Sequence, residues 1–443
     1  MDALQKKVID AVDEEFIVRT TTDLVQIPSP TGHEGDAARF MAERYREAGL
    51  ETHLQFIYGD RYNAVGVLRG KGSGYSLMFN GHLDTSYTGE ERELTAPGYK
   101  NKCIRDGDWL IGNGTNNMKS ADVAYLAAVR ALMEAGVTPV GDIVIAAVAG
   151  EIEKNPVDEY QGPDYHGYGV GTRHLITHGF LTDFCILGEP SALQIAQFQG
   201  GTMWFKVTTR GLMGHIGYGY IKSAVECMER VQAAIRRWIP EYESRNEFMG
   251  ERPHVNLASV EGGWPYRAGR IPVECNLYVD VRLVPGQRIP DVRREFMALI
   301  RKINEENPDI GAVASEFCSI PPSGIPSDAL TVRVIKKAHQ EVMGEPPNVI
   351  FKPHYEDSAH LHRYGVETVI YGCAGRVKTK SYGWAPEIGE HVFIPDVVNA
   401  AKVYALAALD ISSSEADSRQ IQPDAFAQSI ARQKAELGKG PTH

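Results

Sequence analysis

A histidine and an aspartate two residues apart, His82 and Asp84 in GHLDT (81–85), open the chemical reading. On a strand, side chains two apart project to one face. The imidazole of such a pair can bind a divalent metal while the carboxylate fixes its other ring nitrogen. Two more carboxylates stand in comparable places: Glu151 follows the apolar run DIVIAAVAG, and Glu189 follows FCILG. A carboxylate at a strand end can act as a general base toward water or as a hard oxygen ligand. We read Glu151 as the base and Glu189 as the ligand. Taken singly, each residue is also an ordinary charge at the start of a loop. Three strand ends carrying His, Glu and Glu together are much less easily accidental.

The elements that must position these residues are legible as pattern. YSLMFNGH (75–82), DIVIAAVAG (142–150) and FCILGE (184–189) are short, continuous apolar runs, the mark of strands buried on both faces of a mostly parallel sheet. Between the first two, MKSADVAYLAAVRALMEAG repeats its apolar residues at helical spacing, with Asn116 or Asn117 available to cap its start and Gly136 to end it. Strand–helix alternation predicts an α/β layer fold, in which ligands gather at the carboxyl ends of the strands. His82, Asp84, Glu151 and Glu189 all sit at such ends.

From about residue 198 the rhythm changes. Strand-like TMWFKVTTRG, a helix over 221–238, strands HVNLASVEGG and VECNLYVDVRLVP, a helix over 288–306 and a strand over 311–318 follow in the order β-α-β-β-α-β, that of a ferredoxin-like unit. The first rhythm resumes with a helix over 328–343, a strand over 366–372 and a helix over 396–411. The expected organisation is therefore a core built from 1–197 and 320–412, an inserted α+β unit at 198–319, and a polar tail at 413–443 with one helix near 424–436.

Composition narrows the function class. A formal net charge of -11, with no basic stripe, argues against a nucleic-acid partner. No apolar run approaches the roughly 20 residues of a membrane helix, and the acidic, amphipathic start MDALQKKVIDAVDEEF does not read as a signal peptide. The six cysteines are scattered, without a CxxC pair, and most lie in apolar runs; free buried thiols in a cytoplasmic protein fit better than disulfides.

In order and spacing, the motifs resemble the zinc-dependent aminoacylase, acetylornithine deacetylase, succinyl-diaminopimelate desuccinylase and glutamate carboxypeptidase family over about 8–412. GHLDT resembles its HxD strand end, GNGTNNMKS its G-x-G-x-x-D-M-K-G loop, AGEI its Glu-Glu pair and LGEPS its G-E-P-[ST] turn. GLMGHIGYG resembles its G-x-x-x-H segment, EGGWPYRAGRIPVECNLYVDVR the strands ending in D-x-R, and GEHVFIPDVV its last segment. The resemblance implies a metallopeptidase-like α/β core with a ferredoxin-like lid that also makes a homodimer or higher homo-oligomer. It implies His82 and Glu189 as metal ligands, Asp84 as orienter, Glu151 as base, and His215 on the lid stabilising developing negative charge, often from a partner subunit.

The chain departs from that pattern at one metal position. The family's bridging Asp is Asn117, the Glu after the base is Ile152, and the C-terminal His expected a few residues before Glu390 is missing from SYGWAPEIGEHV. His391 follows Glu390 and does not inherit that role. The expectation is one weakly held Mn²⁺, Zn²⁺ or Co²⁺ on His82, Glu189 and the neutral oxygen of Asn117.

The reaction implied is hydrolysis of a C–N bond in a small substrate bearing a carboxylate. Arg267, Arg270 and Arg282 are candidates to receive that carboxylate, though Arg282 can instead brace the lid. Trp384, with Tyr165, Tyr168, Trp204, Trp264 and Tyr266, is a candidate to stack on a ring. An amidohydrolase or deacylase is the class reading. The altered site also resembles the branch containing 5-nitroanthranilate aminohydrolase, in which water replaces an aromatic amine. The contrasting alternative is a catalytically inactive small-molecule-binding homologue.

Overall fold

The computed structural model describes residues 1–378 and 385–414. Trp384, most of the predicted tail and its helix near 424–436 lie outside the described residues. The main sheet runs Glu51–Tyr58, Arg61–Leu68, Ile143–Val148, Leu77–His82, Phe184–Leu187, Glu367–Ile370, Ile195–Gln199, Ser323–Gly324, with Val349–Lys352 also paired to Ile195–Gln199. Its four central strands are mutually parallel. Antiparallel pairings flank them on both sides, while Val349–Lys352 joins Ile195–Gln199 in parallel, so the sheet is mixed. One cause is local: Gly59, at φ +60°, and Asp60 close a two-residue hairpin, which only antiparallel strands can use.

The apolar runs are explained by layers on both faces. Leu77 and Phe79 pack into the cluster that includes helices Lys119–Glu134 and Ile394–Ser412, while Met78 packs oppositely with Leu175, Ile176 and Leu361. Helix Lys119–Glu134 ends as expected, with Gly136 at φ +79° and the N–H of Val137 donating to the carbonyl of Leu132. Its start differs. No side chain caps it, because Asn116 Oδ1 accepts from the N–H of Gly375 at 3.0 Å and Asn117 lines a cavity.

The second sheet is antiparallel, in the order Val255–Gly262, Glu274–Leu283, Gly201–Arg210, Val313–Ile320. Its helices, Ala224–Arg245 and Ile289–Glu306, lie between strands in the β-α-β-β-α-β order. Period-two alternation divides its faces: Met203, Phe205 and Val207 join the helices in one apolar cluster, while Trp204 and Lys206 face the main unit.

The segment after Glu151 ties the two units together. Asn155 Nδ2 donates to the carbonyl of Phe317 at 2.6 Å, Asp158 accepts from Lys206 at 2.7 Å and from Tyr278 at 2.6 Å, and Tyr160 donates to Glu261 at 3.1 Å. A buried ion pair that the sequence pattern did not reveal braces the same region. Arg61 donates to both oxygens of Glu34, at 2.6 and 2.9 Å, and to the carbonyl of His166 at 2.6 Å. The six cysteines are unpaired. Among the described residues no helix is long and apolar enough to cross a membrane.

Candidate metal centre and active site

Register brings the chemistry together. Leu77–His82 lies between two parallel neighbours, with His82 opposite Val148 and Asn80 opposite Leu187. The chain therefore delivers His82, Glu151 and Glu189 to the same edge of three adjacent strands. One ligand atom from each lies within 4.8 Å of the others, and all three residues are buried. His82 Nε2 stands 3.5 Å from Glu189 Oε1 and 3.7 Å from Glu151 Oε2.

The imidazole is oriented from behind. His82 Nδ1 donates to the backbone carbonyl of Asp84 at 2.9 Å, with the Asp84 carboxylate at 3.4 Å. A carbonyl beside Nδ1 requires the proton there, leaving Nε2 as the ligating lone pair. Asp84 does more than orient. Its two oxygens accept the backbone N–H groups of Glu151, at 2.9 Å, and Ile152, at 3.1 Å, and the hydroxyl of Thr31 at 3.0 Å.

The donor set suits a cation. His82 Nε2, Glu189 Oε1 and Asn117 Oδ1 are buried without a hydrogen-bond partner, a costly state for polar atoms unless an ion satisfies them. Burial disfavours a charged His82, but Asp84, Glu189 and Glu151 outweigh it and hold the imidazole well above its usual pKa. Carboxylates that favour a proton at this place favour a metal there too. Burial first, and Glu189 next, push Glu151 well above the ordinary carboxyl range, the direction a general base needs. Asp84 moves the other way, to about 2: burial opposes its ionisation, but His82 and the Glu151 N–H prevail.

Asn117, Glu151 and Glu189 open onto a cavity of about 610 Å³ that is also lined by Ile152, Glu153, Lys352, His354, Glu356 and Glu390. Glu390 Oε2 accepts three backbone N–H groups, from Gly114 at 2.9 Å, Asn116 at 3.2 Å and Asn117 at 3.1 Å. It thereby fixes the loop that carries Asn117, and burial raises its pKa to about 7. His391 has both ring nitrogens engaged, with Gly389 at 2.8 Å and Lys378 at 3.0 Å.

The other residues nominated from sequence lie elsewhere. Arg282 is already paired: it donates to both oxygens of Glu153, each at 2.5 Å, and to Asp280 at 2.7 Å. Its fork is not available to a substrate carboxylate; it braces the second sheet against the loop that bears Glu151. His215 and Arg270 face each other on a short exposed ladder, and Arg267 is exposed nearby. None of the three lines the cavity. Tyr168 and Trp204 pack against each other at 5.1 Å, and Tyr165 against Tyr160. Trp264 lines a separate depression and Tyr266 is exposed. Among the described residues, the tyrosine that lines the cavity is Tyr355, which the sequence pattern did not single out. Nor did it single out Lys352, His354 or Glu356. The run FKPHYEDSAH clusters charges at the end of strand Val349–Lys352, and that placement was the available signal.

Fold and site define a metallohydrolase acting on C–N bonds. Residues 78–410 match the model of peptidase family M20/M25/M40, and the chain belongs to that family. Among curated relatives, it is 26% identical over 399 residues to N-formyl-4-amino-5-aminomethyl-2-methylpyrimidine deformylase of Bacillus subtilis, covering 84% of this chain and 89% of that protein. It is 27% identical over 307 residues to succinyl-diaminopimelate desuccinylase of Cereibacter sphaeroides, covering 67% and 73%. In fold it is similar to human carnosine dipeptidase 1, with a TM-score of 0.73 and 16% identity over 93% of this chain and 100% of the other.

Proposed function

We propose that the protein hydrolyses a linear amide or related C–N bond in a small substrate, with Glu151 as base beside a single divalent ion held by His82 and Glu189 and approached by Asn117. The observation that carries this reading is the trio of unpartnered buried atoms, His82 Nε2, Glu189 Oε1 and Asn117 Oδ1, beside Glu151. When bound, a divalent cation acidifies water and polarises the scissile group. Glu151 takes a proton from the attacking water and returns it to the departing nitrogen, so that a C–O bond forms as the C–N bond breaks. Asp84 keeps His82 and the backbone of Glu151 in register throughout. A single ion is supported by the residues at the other position: Ile152 presents a hydrocarbon side chain to the cavity, and among the described residues one His/Glu cluster is present. Mn²⁺, Zn²⁺ and Co²⁺ all suit a mixed nitrogen and oxygen site.

The motif resemblance leaves a second reading, an aminohydrolase that converts a 5-nitroanthranilate-like 2-aminobenzoate to the salicylate and ammonia. A ring nitro group para to the amine accepts the charge of the addition intermediate, so less is asked of the ion. His215 lies outside the cavity of its own chain, and in this proposal it serves the cavity of a second copy in a homo-oligomer.

The test is an incubation of the full chain with Mn²⁺, Zn²⁺ or Co²⁺ and a panel of N-formyl and N-acyl amino acids, dipeptides and 2-aminobenzoates. Release of a free amino acid identifies the amidohydrolase, and release of ammonia from an aminobenzoate identifies the aminohydrolase. No release from any member, combined with unchanged ligand binding in Glu151→Gln, would instead identify a binding protein.

A further inference from the structure

A carboxylate-bearing substrate needs a positive counterpart in a cavity whose wall carries Glu151, Glu153, Glu189, Glu356 and Glu390. The arginines of the second unit do not supply it from this chain, since Arg282 is paired and Arg267 and Arg270 lie outside the cavity. Arg376 reaches the wall but is held by both oxygens of Asp396, at 2.5 and 3.0 Å.

Among the described residues of the wall, Lys352 remains as the cation, and His354 stands beside it as a neutral imidazole, its pKa held down to about 3 by burial and by Lys352 and Arg282. The Lys352 side chain is only 7% exposed. Its Nζ donates to the carbonyl of Pro190 at 2.7 Å and stands 3.1 Å from Glu356 Oε1. An ammonium has three donors, and the contact with Glu356 Oε1 is not a hydrogen bond, so donor capacity beyond the Pro190 carbonyl remains for a bound anion. His354, with its side chain 49% exposed, stands beside it with Nε2 3.5 Å from the same Glu356 oxygen. Position matters as much as charge. Pro190 follows the ligand Glu189 directly, and the Glu356 carboxyl meets both Lys352 and Glu189. The ammonium is thereby fixed one residue and one carboxyl group away from the ion position.

We propose that Lys352, assisted by His354, is the carboxylate-recognition subsite of this enzyme, and that it selects substrates whose carboxylate lies next to the scissile C–N bond. The proposal rests on the C–N hydrolase reading above and makes it narrower. The α-carboxylate of an N-acyl amino acid and the ortho carboxylate of a 2-aminobenzoate both lie next to the scissile bond; a para carboxylate does not.

Two arms test this on the full chain. In the first, benzoate, benzamide and benzylamine are titrated calorimetrically into metal-loaded wild type, Lys352→Gln and His354→Gln. The amide introduced by Lys352→Gln can still donate to the carbonyl of Pro190, and circular dichroism checks that each variant is folded. Benzoate is expected to bind wild type in preference to both analogues, and to bind Lys352→Gln at least tenfold more weakly. Equal benzoate affinity in wild type and Lys352→Gln, no benzoate binding to wild type, or a preference for benzylamine overturns the proposal. In the second arm, the substrate panel includes each 2-aminobenzoate and N-acyl amino acid with its carboxamide and, for the ring, its para isomer. The carboxylate-to-carboxamide ratio of kcat/KM should fall at least tenfold in Lys352→Gln, through KM; a purely structural role lowers both members together and leaves the ratio intact. If no panel member is hydrolysed while the benzoate arm behaves as expected, the hydrolase reading fails and the anion subsite stands.

Discussion

The Asp84 carboxylate accepts the backbone N–H of Glu151 at 2.9 Å through the same oxygen, Oδ1, that lies 3.4 Å from His82 Nδ1. One buried group thus registers the proposed base against the proposed ligand. Asp84→Asn removes its charge and places an amide N–H against the N–H of Ile152 or the Thr31 hydroxyl. Ion affinity should fall about 10- to 100-fold, as for other carboxylates behind a metal-binding histidine. Isothermal titration with Mn²⁺ or Zn²⁺ measures it, and unchanged affinity would show that Asp84 acts only on the loop.

Glu151→Gln keeps the shape of the side chain but cannot take a proton. Turnover should drop by about 10²- to 10⁴-fold while ion stoichiometry, read by elemental analysis of the same sample, stays as in wild type. A variant with a tenth or more of wild-type turnover would remove Glu151 from the chemistry.

Ion removal by a chelator should abolish turnover and lower the thermal midpoint, because an ion at 100 times its Kd stabilises the folded state by about 2.7 kcal/mol. Restoration should reach its plateau at one ion per chain. A plateau at two tightly bound ions contradicts the single-ion site.

Restoring a bridge should recruit a second ion. Asn117→Asp combined with Ile152→Glu supplies two carboxylates at the position now bounded by a hydrocarbon side chain, and ion content should rise above one per chain at millimolar metal. If the double variant still holds one, the loss of further ligands before Glu390 is sufficient by itself to exclude the second ion.

The buried Arg61–Glu34 pair, which lies within electrostatic reach of Asp84, offers a stability test. Arg61→Met leaves Glu34 buried without its counter-charge, a change that typically costs about 3–5 kcal/mol. Denaturant titration should show the loss, and a change below about 1 kcal/mol would mean that Glu34 is satisfied by its own loop.

The strand ends His82, Glu151 and Glu189 were legible because continuous apolar runs of fixed length announce parallel strands, and parallel neighbours in register present their ends at one edge. The family motifs then assigned roles that spacing alone left open. Side chains that converge from distant segments were not legible. Lys352 and His354 sit on or just after a strand whose partner lies far earlier in the chain, and their place beside Pro190 is a product of folding. Arg282 was nominated for a substrate carboxylate or, alternatively, as a brace of the lid; the carboxylate it forks onto is the chain's own Glu153, two residues past Glu151. Sequence shows that an arginine can fork onto a carboxylate; it does not show which carboxylate arrives first. The hairpin at Gly59 and Asp60, which turns the sheet edge antiparallel, carried a local signal that a search for buried strands passed over.

Glu390 has one more consequence. The amides of Gly114, Asn116 and Asn117 form a cradle of the kind that captures oxyanions, and this protein has furnished it with a permanent tenant from its own chain. Inorganic phosphate and phosphorylated metabolites therefore find this cradle already filled by the chain's own carboxylate.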